Sequence, residues 1–293
     1  MKNNERALGA SLILHLLLTL IESALMLLLG AVFKNTTAVK IFSLLFTPVR
    51  FLLPVLLYRR ASGYTPFTEP INSGTKPEKT PVAKTALTYV LALSLTVAVL
   101  NTVGSLTDTV FSFFGIAVGK SIPLSPFDTV YTFLRNVLFA AILEEALFRG
   151  ALLHALSGRK AATRILLSAT LFALMHGSLY QLFYAAAAGA VIAAFTVITG
   201  SLKLAAAVHL GANTVSFIFS LLSVHLPAET YKTVSLAALA AFAATALLSA
   251  AVYLCKYREK SIVPTDSKIT CSLPKEIWAY IAASALVILI NLI

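Results

Sequence analysis

The residues best suited to chemistry lie in three short stretches of an otherwise apolar chain. "EEALFR" sets Glu144 and Glu145 side by side with Arg149 close behind, "FALMH" ends in His176, and "HLGAN" spaces His209 and Asn213 four residues apart. Carboxylate, imidazole, imidazole and amide suit acid–base work on an activated water. Inside a membrane the same groups would also suit an ion relay. On an α-helix Glu145 and Arg149, at i and i+4, share a face and can pair. Glu144 then points about 100° away, which leaves it free.

Those stretches must be carried by membrane-spanning helices. The chain has 293 residues, 58% hydrophobic and 12% charged, where a soluble domain carries about 25% charged residues. A spanning helix needs about 20 mostly apolar residues. Nine candidates occur, at 7–33, 38–58, 85–116, 129–156, 161–178, 182–199, 201–224, 233–255 and 274–293. An ionised residue near the bilayer centre costs at least about 2.5–3.5 kcal/mol, so a carboxylate pair in the fourth candidate demands a partner, a cavity or a function. Counted at about 1.5 Å per residue from the cytoplasmic ends, Glu144 lies about 18 Å deep, His176 about 22 Å and His209 about 12 Å. Helix tilt covers that spread, so one shared cavity is feasible.

Loop charge sets the orientation. With the N-terminus cytoplasmic, 16 of the 23 Lys and Arg fall on the inside. Only Lys34, Lys40, Lys120 and Lys232 fall outside, while Arg50, Arg135 and Arg149 lie within spans. That asymmetry predicts a cytoplasmic N-terminus, an odd number of spans and an external C-terminus. It also explains the net charge of +11 without nucleic acid as a partner. The N-terminal apolar run is too long for a signal peptide and reads as an uncleaved first span. Residues 59–84, rich in Pro, Gly, Thr and Lys, read as a mobile cytoplasmic linker, and 256–273 as a shorter loop of the same kind.

The remaining polar residues have plainer readings. Glu22 is a lone carboxylate in the first span, with Arg50 or Lys40 as possible partners. His15, His154 and His225 are read as structural or solvated. Cys255 and Cys271 flank one loop and show no Cys–His metal spacing.

The three motifs, E-E-x-x-x-R, F-x-x-x-H and H-x-x-x-N, in this order on a helical membrane protein, resemble the CPBP family, the CAAX proteases and bacteriocin-processing enzymes. The resemblance covers roughly residues 129–224, with no departure at a motif position. It implies an all-α polytopic membrane bundle of about 8–9 transmembrane helices. The expected parts are N-terminal helices at 1–128, a catalytic core at 129–224 and C-terminal helices at 225–293. It also implies an intramembrane endopeptidase acting on a prenylated or otherwise membrane-associated protein or peptide. Glu144 would be the general base, His176 would orient the water, His209 and Asn213 would stabilise the oxyanion, and Arg149 would hold Glu145. The family is described both as metal-free and as metallo-type. The cofactor is therefore either none or a zinc-like divalent cation held by Glu144, His176 and His209, although no H-E-x-x-H is present. The expected location is a prokaryotic plasma membrane. Two other readings remain: a non-catalytic scaffold or immunity protein of the same fold, and an ion-coupled transporter. No inverted repeat supports the transporter.

Overall fold

Long apolar runs without strand-like alternation wind into helices, nine of them among the described residues. Those residues are 2–71, 81–116, 125–257 and 273–291 of the computed structural model. α1 (Lys2–Phe33) and α2 (Thr36–Ser62) form a hairpin. Lys34 takes a left-handed backbone (φ 48°) at its turn, and Asn35 caps α2 by accepting from the Ala38 N–H at 3.1 Å. α3 is Val82–Phe113. α4, running over 126–155, is composite. Pro126–Thr132 and Leu152–Ala155 are α-helical, whereas Phe133–Glu144 and Ala146–Ala151 are wound as π-helix. α5 (Ala161–Leu174), α6 (Leu179–Thr199), α7 (Leu202–His225), α8 (Ala228–Tyr257) and α9 (Lys275–Ile290) follow.

Each of the nine expected spans corresponds to one helix. Six helices are long and apolar enough to cross a membrane: α1, α2, α3, α6, α7 and α8. α5 and α9 have only 14 and 16 residues, and α4 changes its winding. The protein is an integral membrane protein with an all-helical bundle.

α4 is the axis of the bundle. Residues 143–153 are buried without interruption, the pattern of a helix enclosed on all sides. It packs against α1, α2, α5 and α7, and Leu147, Phe148, Leu152 and Leu153 form the middle of the core. The linker expected at 59–84 is partly structured. α2 continues through Ser62, and the chain then folds back so that Tyr64 stacks on His154 at 4.1 Å and Ile71 is fully buried. An aromatic ring and an isoleucine gain more from burial than the Pro- and Gly-rich composition suggests. Residues 72–80, and nearly all of the loop expected at 256–273, lie outside the described residues.

Two ion clusters tie α1 to the rest. Near the start of α1, the Arg159 guanidinium grips Glu5 with bonds of 2.8 and 2.9 Å. Deeper in, Glu22 meets Arg50 at 3.0 Å and Arg135 at 3.7 Å and accepts from the Ser43 hydroxyl at 2.8 Å. Lys40 is not a partner of Glu22; it pairs with Asp128 at the start of α4. Position along α2 separates them. Lys40 lies about one turn from Ser43 toward the hairpin and reaches the start of α4, while Arg50 lies about two turns from Ser43 the other way and meets Glu22.

Glu22 is therefore the carboxylate that permits two guanidinium groups inside the bundle. Glu22→Ala should lower stability by about 3–5 kcal/mol, the typical result of stranding a buried charge. Thermal unfolding in detergent measures it. The double change Glu22→Met with Arg50→Met should recover part of the loss, because it removes a charge together with its partner.

Candidate active site

Three helices, α5, α6 and α7, converge on α4 at the level of its carboxylates. Glu145 and Arg149 are wholly buried and pair at 2.9 Å. The same Glu145 oxygen, Oε1, accepts from His209 Nδ1 on α7 at 2.8 Å. Arg149 Nη2 donates to the Gly189 carbonyl on α6 at 3.2 Å, and its guanidinium carbon lies 4.0 Å above the Phe172 ring of α5. The buried cation thus has a carboxylate, a carbonyl and an aromatic face around it, the compensation that a charge in low dielectric requires.

Glu144 is nearly buried, and among the described residues it takes no hydrogen bond; its Oε2 stands 4.0 Å from His209 Nε2. That is too long for a direct bond and short enough for one water to touch both groups. His209 therefore presents one nitrogen to each carboxylate. The expectation of a 100° separation between the glutamates is modified here. A π-helix closes i→i+5 bonds and holds more residues per turn, so neighbouring side chains diverge less. Glu144 closes one π segment and Ala146 opens the next, with Glu145 between them. Both carboxylates consequently face α7.

Hydrogen bonding fixes the ring states. The Phe172 carbonyl can only accept, so His176 Nδ1 carries the proton of their 2.9 Å bond, and in the neutral ring Nε2 is an acceptor. His209 Nδ1 donates to Glu145 in the same way, so its Nε2 accepts when neutral and donates only as imidazolium. Asn213 Nδ2 donates to the Asn136 carbonyl at 2.9 Å, which leaves it one further N–H. His209 and Asn213 are therefore not a pair of equivalent donors aimed at one atom, as their spacing alone suggests.

His176, His209 and Asn213 line a cavity of about 60 Å³ together with Phe172, Thr96 and Tyr184. A water in the liquid occupies about 30 Å³, so the cavity has room for about two waters and none for a peptide. A zinc-like cation does not fit this arrangement on Glu144, His176 and His209. Among the described residues no three His, Cys, Asp or Glu side chains gather closely enough to hold one.

All six motif residues lie in one region. His15 is also buried beneath it, packed on Phe51 at 4.7 Å between ring centroids and on Phe148 at 6.1 Å. His154 bonds the Tyr58 hydroxyl at 2.8 Å. Sequence reasoning missed Gly189 and Asn136. The small-residue run "AAAAGA" was a usable signal for Gly189, because small residues let membrane helices approach closely. Nothing in the sequence singles out a backbone carbonyl such as that of Asn136.

A family model described as type II CAAX prenyl endopeptidase Rce1-like matches residues 126–215. No curated protein and no solved structure matches the chain. The matched stretch opens at the first residue of α4, ends two residues beyond Asn213 and contains all six motif positions.

Gly189 should be irreplaceable even by alanine. A Cβ there would stand 2.9 Å from Phe172 Cδ1 and 3.1 Å from Arg149 Nη2. Overpacking of this kind typically costs about 1–3 kcal/mol. Gly189→Ala should show that loss in thermal unfolding; an unchanged melting temperature would mean that α6 can back away from the pair.

Proposed function

Because residues 126–215 match the model of the type II CAAX prenyl endopeptidases, we propose that the protein is an intramembrane endopeptidase. It hydrolyses a peptide bond in a membrane-associated protein or peptide, with a water activated by Glu144. The observation that carries this reading is the chain Arg149–Glu145–His209, which holds His209 Nε2 4.0 Å from the second carboxylate, Glu144.

The roles follow from the contacts. Arg149 neutralises Glu145 and turns its Oε1 toward α7. Glu145 fixes the His209 proton on Nδ1. A water between Glu144 Oε2 and His209 Nε2 gives its proton to Glu144, and its oxygen bonds to the scissile carbonyl carbon. The displaced electron pair moves onto the carbonyl oxygen. Asn213, through its remaining N–H, donates to that oxyanion, and His209 can join it when protonated. Collapse breaks the C–N bond, and the proton passes from Glu144 to the leaving amine. His176, its Nδ1 occupied by Phe172, offers Nε2 to the water-sized cavity and orients what lies there. The resting cavity is too small for a peptide, so the helices around it must part for substrate to reach the carboxylates.

Cleavage of a lipidated peptide library by purified protein, with and without a chelator, tests the reading. Glu144→Gln keeps the shape and removes the base; it should lower turnover by about 10²–10⁴, the usual worth of a general base, with an unchanged melting temperature. Glu145→Gln should lose stability as well, because Arg149 then lacks a counter-charge in a buried site. Normal cleavage by Glu144→Gln would remove Glu144 from the base role.

Asn213→Ala separates oxyanion stabilisation from binding. Loss of one such donor typically lowers kcat by about 10²–10³. KM should stay near the wild-type value, since the bond forms only as charge develops. Near-wild-type turnover would show that the oxyanion is held elsewhere.

A further inference from the structure

A cleft of about 580 Å³ lies far from the carboxylates, where the α1–α2 hairpin meets the start of α4. Met26 and Gly30 of α1, Val39 of α2 and Tyr131 of α4 form its walls, and Lys34 and Lys40 line it. We propose that this cleft binds an anionic phospholipid, with the phosphate at the lysines and an acyl chain along the apolar wall.

Four observations point there. The hairpin turn joins two spanning helices, so the cleft sits at a membrane surface whichever way the chain is inserted. The surface is the one opposite Arg59 and Arg60, where the charge rule leaves only four lysines. Two of those four line this one cavity, against a bias that depletes them. Lys40 is matched by Asp128, whereas Lys34 has no ion pair among the described residues, so the cleft keeps a net positive charge. Thr36 and Thr37, in the first turn of the 27-residue helix α2, add free backbone N–H groups beside Lys34; Asn35 serves Ala38 and leaves them unused. A helix start with a nearby ammonium suits a phosphate.

The flanks explain why the anion carries a hydrocarbon tail. Leu27, Leu28, Val32 and Phe33 on α1 and Leu45 on α2 are exposed apolar side chains on the two helices that frame the cleft. A free phosphate would use the lysines and leave Met26, Gly30 and Val39 without a role. A diacyl lipid uses both.

Two substitutions probe the halves separately. Lys34→Glu reverses the unpaired charge. Gly30→Leu fills the groove from below; a Cβ at Gly30 meets only Val39, at 3.9 Å, so the helix packing has room for it. Purified full-length protein in detergent is titrated with phosphatidylglycerol or phosphatidylcholine of identical chains, and bound lipid is counted by native mass spectrometry. Inorganic phosphate forms a third arm, and thermal unfolding reports folding for each variant. Wild type should retain phosphatidylglycerol about tenfold better than phosphatidylcholine, the scale of one charge-assisted hydrogen bond. Lys34→Glu should erase that preference, and Gly30→Leu should weaken both lipids while melting as wild type does. Equal retention of the two lipids by wild type, or an unchanged preference in Lys34→Glu, overturns the proposal. Displacement of phosphatidylglycerol by millimolar inorganic phosphate also overturns it, because the site would then recognise a free anion. None of these outcomes depends on Glu144 or on peptide cleavage.

Discussion

The wholly buried pair between Glu145 and Arg149 is the constraint around which the site is built. Such a pair adds little net stability, since desolvation consumes most of the attraction between the charges. Its consequence is geometric. A guanidinium in low dielectric needs partners for its N–H groups and its faces, and α4 alone cannot supply them. The Gly189 carbonyl on α6, the Phe172 ring on α5 and, through the shared carboxylate, His209 on α7 supply most of the set, and the Arg149 Nε–H has no hydrogen-bond partner among the described residues. One ion pair within α4 therefore fixes the approach of three other helices.

The same logic extends along α4. In a bilayer, apolar packing offers little preference between one helix rotation and another, because lipid tails are as apolar as leucine. Polar side chains set the rotation instead. Asp128 is held by Lys40 of α2, and Arg135 by Glu22 of α1 and Ser43 of α2. Glu145 is held by α7, and Arg159, just beyond the helix, by Glu5 of α1. Each charged level of α4 is bonded to another helix. The π winding belongs to this arrangement. Its wider turn lets Glu144 and Glu145 face α7 together, while Arg149 still reaches back to Glu145.

Much of this was legible in the sequence, for identifiable reasons. Spanning helices announce themselves by length and hydropathy, so the nine spans correspond to nine helices. The Glu145–Arg149 pair follows from spacing on one helix, and intramembrane polar groups are rare enough that three motifs point to one site. The rest depends on distances between helices, which local spacing does not encode. Lys40 was a candidate partner for Glu22 because both are near the hairpin, yet Asp128 is far away in sequence and meets it only in the fold. The burial of Tyr64 and Ile71 was masked by the Pro- and Gly-rich composition around them. The difference between His209 and Asn213 as donors comes from their neighbours, Glu145 and Asn136, which lie on another helix. No residue pattern predicts a π-helix, so the 100° separation of the glutamates was taken from the ordinary α turn.

Proton counting gives the arrangement its chemical sense. Glu144, Glu145, His209 and Arg149 form a nearly closed set of two carboxylates, one imidazole and one guanidinium. With both carboxylates ionised and His209 neutral the set carries one negative charge. Arg149 and His209 both engage Oε1 of Glu145, so the Nδ1 side of the imidazole is committed. What stays open is the gap between Glu144 Oε2 and His209 Nε2, 4.0 Å wide and of water size. In the reaction proposed above, a proton leaves the water there for Glu144 and goes on to the leaving amine, so the set passes from one negative charge to none and back. The buried Arg149, bonded to the other carboxylate, confines that exchange to the two groups that face each other.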